Sequence, residues 1–430
     1  FTRCRDVDGC RGLYPCCLFL HQESAFCLNR ITLKILILSH KPPYPILDGG
    51  CLAMARLLQD LLVLDRIETI DYHTLSTAKH PYVSGSFPAD SKLTVVHHPI
   101  DTKVTLVGAV MSLVKQESYN LKRFQSELIL KKIRKAIEET PYDFVIFESL
   151  FAATYASTLR AFSKAKFIYR AHNIEHQIWK DLASNTRNLP KKWYLQQLAY
   201  SLKWAERTVW SEDQGGLDLI LTISDADLKQ IENQTLSACR YLPASLNKPE
   251  VRSSLAPNRL CFLGAFNWQP NVEAVDWFLS RIFPNLRKNN PQLEFHIAGK
   301  HAENHKHWQQ PGVVVHGFVP DSSAFIAAHG IFVGCLQSGS GVKMKIIEAM
   351  SVGAPIVFSE KSTDGLPGFP SELSIANEQL FAAELSQLLQ DPEALSARAQ
   401  LSTTYFEAHF STSHVQRQLL QLLEELQNNR

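Results

Sequence analysis

Short apolar runs alternate with helix-length amphipathic segments along most of this chain. LKILILS (33–39) precedes the polar turn HKPPYPILDGG and a periodic segment from about Gly50 to Leu64. KLTVVHH (92–98), DFVIFES (143–149), KFIYRAHN (166–173) and LDLILTIS (217–224) are further runs of strand length. Continuous apolar runs separated by helices are the pattern of strands buried on both faces of a parallel sheet. Among the helices, 121–139 sets Leu121, Phe124, Leu128 and the row Ile129, Ile133, Ile137 at helical spacing.

The alternation pauses in ASLNKPEVRSSLAPN, which is polar and punctuated by proline, and then restarts. RLCFLG (259–264), LEFHIAG (293–299), GVVVHGF (312–318), IFVGCL (331–336) and APIVFS (354–359) read as strands. A helix opening near Asn271 carries Val275, Phe278, Leu279 and Ile282 and stops at Pro284. The fold class is therefore α/β, with two Rossmann-like domains facing a central cleft. The expected domains are 33–243 and 259–405, joined by a linker at 244–258 and followed by a C-terminal helix at 406–430. Leu419, Leu420, Leu422, Leu423 and Leu426 of that helix need an apolar surface.

Residues 1–32 look foreign to the rest and are expected to be a non-native or disordered extension. They hold Cys4, Cys10, Cys16, Cys17 and Cys27, in a spacing that fits neither a zinc site nor a signal peptide. The chain opens at Phe1, and its first methionine, Met54, lies beyond the first strand, so initiation near Leu33 is expected. Cys51, Cys239, Cys261 and Cys335 have apolar neighbours and read as reduced core thiols.

Composition narrows the partners. A formal charge of +2, from 44 basic and 42 acidic side chains, provides no field for a nucleic-acid partner. No run approaches the roughly 18 apolar residues that cross a bilayer. The basic residues Lys122, Arg123, Lys131, Lys132, Arg134 and Lys135 form either a solvated helix face or a face for anionic lipid.

Ligands of open α/β sheets bind beyond the carboxyl ends of the strands, which directs attention to the loops there. SGSGVKMKIIEAMSVGAPIVFS (338–359) runs a glycine pair into a helix and then a strand. Gly339 and Gly341 allow close approach of a ligand, and a helix N-terminus offers unpaired N–H groups to phosphate. If the helix starts at the glycines, Gly341, Lys345 and Glu348 share one face at i, i+4 and i+7. Glu348 then either accepts from the hydroxyls of a ribose beyond the phosphates or forms an ordinary pair with Lys345. Asp48, Gly49 and Gly50 open the first helix in a second such turn, suited to acceptor or donor phosphate. His172 and Asn173 follow a strand and should face the cleft. Glu148 ends a strand as a cleft residue or a buried ion pair. His301, His305 and His307 read as a solvated loop rather than a metal cluster.

The block GSGVKMKIIEAMSVGAPIVFS, together with FLGAFNWQPNVEAVDWF (262–278), IAGK (297–300) and VVVHGFVPD (313–321), closely resembles the retaining glycosyltransferases of family four, which have the GT-B fold. YRAHNIEHQIWKDLA (169–183) and LILTISDAD (219–227) resemble the acceptor-side domain of that family. The resemblance spans roughly 33–405. It implies transfer of a sugar from a nucleotide diphosphate-sugar to a glycan or lipid-linked acceptor, with retention, in cell-surface polysaccharide or glycoconjugate synthesis. It assigns Glu348 to the ribose, His172 to the reacting sugar, and Gly339, Ser340, Gly341, Val342, Lys343 and Lys345 to the donor. His172, Lys345 and Glu348 form the implied catalytic set, with Asp48, Gly49, Gly50 and Asn173 at the acceptor or phosphate loop.

The chain departs from the family at two points. Ser340 stands where the family's first glutamate would be, and Ala265, Phe266, Asn267 and Trp268 replace a cationic diphosphate loop. Lys343 and Lys345, ahead of Lys300, are the substitutes. No cofactor and no metal are expected, the nucleotide-sugar being a substrate. The expected location is cytoplasmic, with peripheral contact at the inner face of the membrane where the acceptor is lipid-linked. The alternatives are a nucleotide-sugar 2-epimerase and a non-catalytic donor-binding subunit.

Overall fold

The computed structural model describes residues 32–105, 107–108, 111–112, 117–339 and 341–428. The expected extension and Ser340 lie outside the described residues.

Seven parallel strands form the first sheet, in the order β3-β2-β1-β4-β5-β6-β7. They are β1 (Leu33–Ser39), β2 (Ile67–Ser76), β3 (Leu93–Pro99), β4 (Phe144–Glu148), β5 (Lys166–Ala171), β6 (Leu219–Thr222) and β7 (Cys239–Tyr241). The helices that concern the site are α1 (Gly49–Leu62), α2 (Glu127–Glu139), α3 (Glu175–Ser184), α4 (Leu189–Trp210) and α5 (Asp225–Glu232). β1 and β4 are apolar throughout because helices cover both faces of the sheet; Ile35, Ile37, Phe144 and Ile146 enter one core cluster, and Leu36, Leu38, Val145 and Phe147 the other. Two strands escape the apolar-run reading. β2, IETIDYHTLS, places polar side chains inside, where His73 Nδ1 lies 3.0 Å from His98 Nε2 of β3, and β7 has three residues.

The second sheet is also wholly parallel, in the order β10-β9-β8-β11-β12-β13. It comprises β8 (Arg259–Leu263), β9 (Glu294–Ala298), β10 (Val313–Gly317), β11 (Ile331–Gly334), β12 (Ile356–Ser359) and β13 (Ser374–Ile375). Between and after the strands run α6 (Gln269–Trp277), α7 (Ser322–Ala328), α8 (Met344–Ser351), α9 (Glu378–Gln390), α10 (Pro392–His409) and α11 (Thr412–Asn428). The two doubly covered parallel sheets are the two Rossmann-like domains expected from the pattern, in the GT-B architecture that the family resemblance implies.

The helix expected over 121–139 starts at Glu127, because the Ser126 side chain caps it by accepting from the Ile129 N–H. Ile129, Ile133 and Ile137 are buried as a row, whereas Leu128 is 65% exposed and belongs to the outer face. On that face Arg134 pairs with Glu138 and Lys135 with Glu139, both at i,i+4. The apolar surface sought by the tail is the first sheet's core: Val415, Leu419 and Leu423 of α11 join Ile35, Leu58 and Phe144. The chain thus crosses between the halves twice, and the crossings touch, Leu246 N–H donating to Phe410 O at 2.8 Å. Among the described residues no helix is long and apolar enough to cross a membrane. Cys51, Cys239, Cys261 and Cys335 are free and buried.

Candidate functional site

Strand register lines up the loops of the first half. Ser39 pairs with Glu148 and Glu148 with Arg170, so the residues that follow, His40, Ser149 and the 171–173 turn, share one edge of the sheet. Glu148 is fully buried and accepts from Arg170 Nη1 at 3.2 Å, and its other oxygen lies 2.5 Å from His172 Nε2. Burial alone would raise the Glu148 carboxyl, but Arg170 and His172 outweigh it and hold the group below its ordinary value. Of the two readings of Glu148, the structure has the buried ion pair rather than a cleft-facing carboxylate, and the same group holds the His172 ring at the strand ends. His40, which sequence reasoning passed over, sits beside them with Nδ1 2.7 Å from Ser149 Oγ. Desolvation first, then Lys41 and His172, push His40 down to about 3, so its imidazole is neutral.

The Asp48-Gly49-Gly50 turn supplies its own anion. Asp48 caps α1 through the Cys51 N–H at 2.8 Å and accepts from Lys41 Nζ at 2.6 and 2.8 Å. Burial opposes ionisation, yet Lys41 prevails and holds Asp48 below the usual carboxylate range. This turn therefore offers a ligand less positive charge than a bare helix N-terminus would.

In the second half, α8 begins at Met344, three residues later than a start at Gly341 would have it. The reason is local: Gly341 has φ +74°, outside the helical region, and Lys343 is extended at the cap position. Gly341 is thus a turn residue, and only Lys345 and Glu348 of the expected triplet lie on the helix. α8 has no side-chain cap, and although the Ile346 N–H turns back to Lys343 O at 2.9 Å, the N–H groups of Met344 and Lys345 remain open to an anion. Glu348 takes part in the ordinary pair, Lys345 Nζ to Oε2 at 2.9 Å, and its Oε1 accepts from Ser322 Oγ of α7. An ionised carboxylate offers about four acceptor directions, which leaves room for hydroxyls of a ligand.

Lys343 is, among the described residues, a cation with unmet chemistry. Its Nζ is buried without a hydrogen-bond partner, and desolvation lowers it to about 8 against the pull of Asp364 and Asp227. Lys300, by contrast, is exposed and lies 5.8 Å from the Phe318 ring. Val342 packs at the rim of the second core. Ser338 Oγ donates to Glu273 at 2.8 Å, tying down the loop before Gly339.

The two sets of loops meet. A β-carbon built on Gly341 would lie 3.0 Å from Asn173 Oδ1, and one on Gly49 would lie 3.8 Å from Met344 Cγ. Asp225 N–H donates to Gly365 O at 3.3 Å, and a β-carbon on Gly365 would come within 2.8 Å of Ser224 Oγ. The structure thus brings Asn173, Gly49, Gly341 and Lys343 into one cleft, with Glu348 further along α8. It adds Asp227, Asp364 and Gly365, which sequence reasoning missed. Asp227 is raised to about 6, by burial first and by Glu206 next. The signal for it was the Ser224-Asp225-Ala226-Asp227 helix start directly after an apolar strand, where Ser224 caps through the Asp227 N–H at 3.3 Å.

A cavity of about 250 Å³ opens at the carboxyl ends of β11 and β12, beside Gln337, Ser359 and Lys361. Another, of about 360 Å³, lies away from the strand ends against Leu121, Trp204 and Val209, and contributes nothing to this cleft. The 301–307 loop is no ligand cluster: His305 stacks on Trp308 with centroids 4.2 Å apart, and His307 Nε2 lies 2.9 Å from Asp276.

Comparison with known proteins agrees with this architecture. Residues 257–391 match the family model of glycosyl transferases group 1. An uncharacterized 44.6 kDa protein in the cps region of Klebsiella pneumoniae is 21% identical over 298 residues, covering 66% of this chain and 75% of the relative. Sucrose-phosphate synthase from Thermosynechococcus elongatus shares the fold with a TM-score of 0.65 at 13% identity, over 93% of this chain and 100% of that one. Anabaena Alr3699/HepE, solved in complex with UDP and glucose, shares it with a TM-score of 0.58 at 14% identity, over 91% and 100%.

Proposed function

We propose that this chain, a member of the glycosyl transferases group 1 through residues 257–391, moves a sugar from a nucleotide diphosphate donor to a glycan or lipid-linked acceptor in cell-surface polysaccharide or glycoconjugate synthesis. The observation that carries the reading is the buried, unpartnered ammonium of Lys343 beside the Gly341 turn and the open N-terminus of α8. The relative from a cps region and the UDP complex of a neighbour of the same fold support the process and the donor class.

In this reading the diphosphate lies on the N–H groups at the start of α8 with Lys343 and Lys345. Glu348, held by Ser322, accepts from the ribose hydroxyls. The acceptor hydroxyl attacks the anomeric carbon on the face from which the diphosphate departs, so the configuration is retained. The new bond is carbon to acceptor oxygen, the sugar–phosphate bond breaks, and the acceptor proton passes to an oxygen of the leaving diphosphate. Fixed N–H dipoles and lysines supply the stabilisation of that leaving charge, so the step asks for no metal and no cofactor. His172, positioned by Glu148, and Asn173 meet the sugar from the other half. The two departures from the family pattern leave Lys343 with a larger share of the diphosphate charge.

The reaction is assigned to the cytoplasmic side. Peripheral attachment to anionic lipid fits α4, where Trp193, Tyr200 and Trp204 are each more than half exposed among Lys191, Lys203 and Arg207. Thermal unfolding with uridine, guanosine and adenosine diphosphates and their sugars tests the donor site. Stabilisation by one nucleotide series that disappears in Lys343→Met is expected. No shift from any of them, in a folded protein, would overturn the reading. Donor consumption that needs no acceptor would point instead to epimerisation.

A further inference from the structure

Three histidines far apart in sequence converge at the outer edge of the second sheet. His296 lies in the middle of β9, His316 near the end of the edge strand β10, and His329 follows the last turn of α7. One nitrogen from each can be chosen so that all three lie within 4.8 Å of one another. Their arrangement goes beyond chance contact. The pairing of β10 with β9 slips between Val315 and Gly317, so His316 sits at a bulge, a device that re-aims a side chain. Its Nε2 lies 2.9 Å from His296 Nδ1. His329 Nδ1 is 2.6 Å from the Phe325 carbonyl, a contact that fixes it as the donor nitrogen and leaves Nε2 with its lone pair. Glu294 Oε2, 3.2 Å from His296 Nε2, stands beside the trio and also pairs with Arg259.

We propose that His296, His316 and His329 form a binding site for a divalent transition metal of the zinc class, separate from the sugar-transfer cleft. Imidazole nitrogens bind such ions at about 2.0–2.1 Å, which sets nitrogens about 3.4 Å apart around a tetrahedral centre. One pair stands at 2.9 Å and all three nitrogens lie within 4.8 Å of one another, so rotation of the rings is what would bring the set to that spacing. Three imidazole nitrogens and no thiolate suit zinc, copper or nickel, with water completing the shell and Glu294 holding the outer nitrogen of His296. His296 is nearly buried and His316 is exposed, so an ion enters from solvent past the edge strand. The ion would clip the edge strand and the end of α7 to β9. α7 runs opposite to the strands, so its other end carries Ser322 and the contact to Glu348.

The test is titration of tag-free, chelator-treated full-length protein with cobalt(II), followed by visible absorption, and with zinc(II) by calorimetry. One equivalent is expected, with ligand-field bands and no thiolate charge-transfer band. His316→Ala and His329→Ala are each expected to weaken binding by at least about tenfold, and Cys51→Ser to leave it unchanged. His316 is exposed, so its removal spares the core, and the unfolding temperature of the metal-free variant checks this. The absence of binding, binding undiminished in both histidine variants, or a thiolate band removed by Cys51→Ser would each overturn the proposal. The last would assign the ion to the Asp48, Cys51 and His80 cluster instead.

Discussion

Asn173 and Gly341 face each other across the cleft so closely that a β-carbon on Gly341 would stand 3.0 Å from the Asn173 amide oxygen. Gly341 also has φ +74°, where an L side chain is strained by about 1–2 kcal/mol. Gly341→Ala is therefore expected to lower stability by about that amount and to weaken nucleotide diphosphate binding further, by pushing the turn from Asn173. Urea unfolding and ligand titration check this. A variant that binds like the parent would mean that the close approach serves packing alone.

Lys343 should show stability and function in opposition. Its ammonium is lowered from 10.5 to about 8 by burial, so at neutral pH the folded protein bears the cost of a desolvated charge. The unfolded chain holds the proton more tightly between pH 8 and 10.5, and intrinsic stability rises with pH across that window. At about 1.4 kcal/mol per pKa unit, Lys343→Met removes a penalty of up to about 3 kcal/mol and raises the melting temperature of the free protein. The same variant loses the stabilisation by nucleotide diphosphate. Parent affinity for the diphosphate should fall as pH rises through about 8, where the free lysine loses its proton. A variant that is both less stable and fully competent to bind would refute the assignment.

Breaking the Glu148–Arg170–His172 group should be costly and acid-sensitive. Glu148→Gln leaves Arg170 buried with a weakened partner, and removing one member of a buried pair costs about 3–5 kcal/mol. The carboxyl is held below its ordinary 4.5, so its contribution is fully present above that pH and is lost as pH falls through the lower folded value. The difference between parent and variant in urea midpoint is expected to shrink in acid; a difference that grows in acid would contradict the sign.

Ser322 donates to Glu348 Oε1 and so holds the carboxylate that the proposed function sets against the ribose. Ser322→Ala should raise the nucleotide dissociation constant by about tenfold, the worth of one hydrogen bond to a charged group, while leaving the fold intact. Calorimetry with the nucleoside diphosphate and with the free diphosphate separates the effects: loss confined to the nucleoside compound supports a ribose contact.

Parallel sheets made much of this fold readable, since LKILILS, DFVIFES and APIVFS are buried from both sides and have no polar face to blur them. The same logic hid β2, whose inward His73 and Thr74 are satisfied by partners on other strands, and β13, whose two residues form no run. The start of α2 was obscured because Leu121 and Phe124 continue its apolar period while Ser126 ends the preceding turn. The glycine turn and Glu348 stood in one continuous stretch and could be found there. Asp227 and Gly365 act through placement beside residues more than a hundred positions away, and Ser322 meets Glu348 from another helix, so no local pattern announces them. The histidine trio was invisible for the same reason, whereas the obvious 301–307 cluster is occupied with Trp308 and Asp276.

The return of α11 makes the first half a mosaic of two separate stretches of chain. Val415, Leu419 and Leu423 fill its core, Arg66 donates to Glu424 at 2.6 Å, and Gln416 donates to Asp60 at 3.1 Å. A swap of first halves between relatives, cut once in the linker, would therefore install a foreign core with the wrong plug. Successful chimaeras must carry the last helix together with the first strands, and a circular permutant that joins them directly would yield this half as a single uninterrupted module.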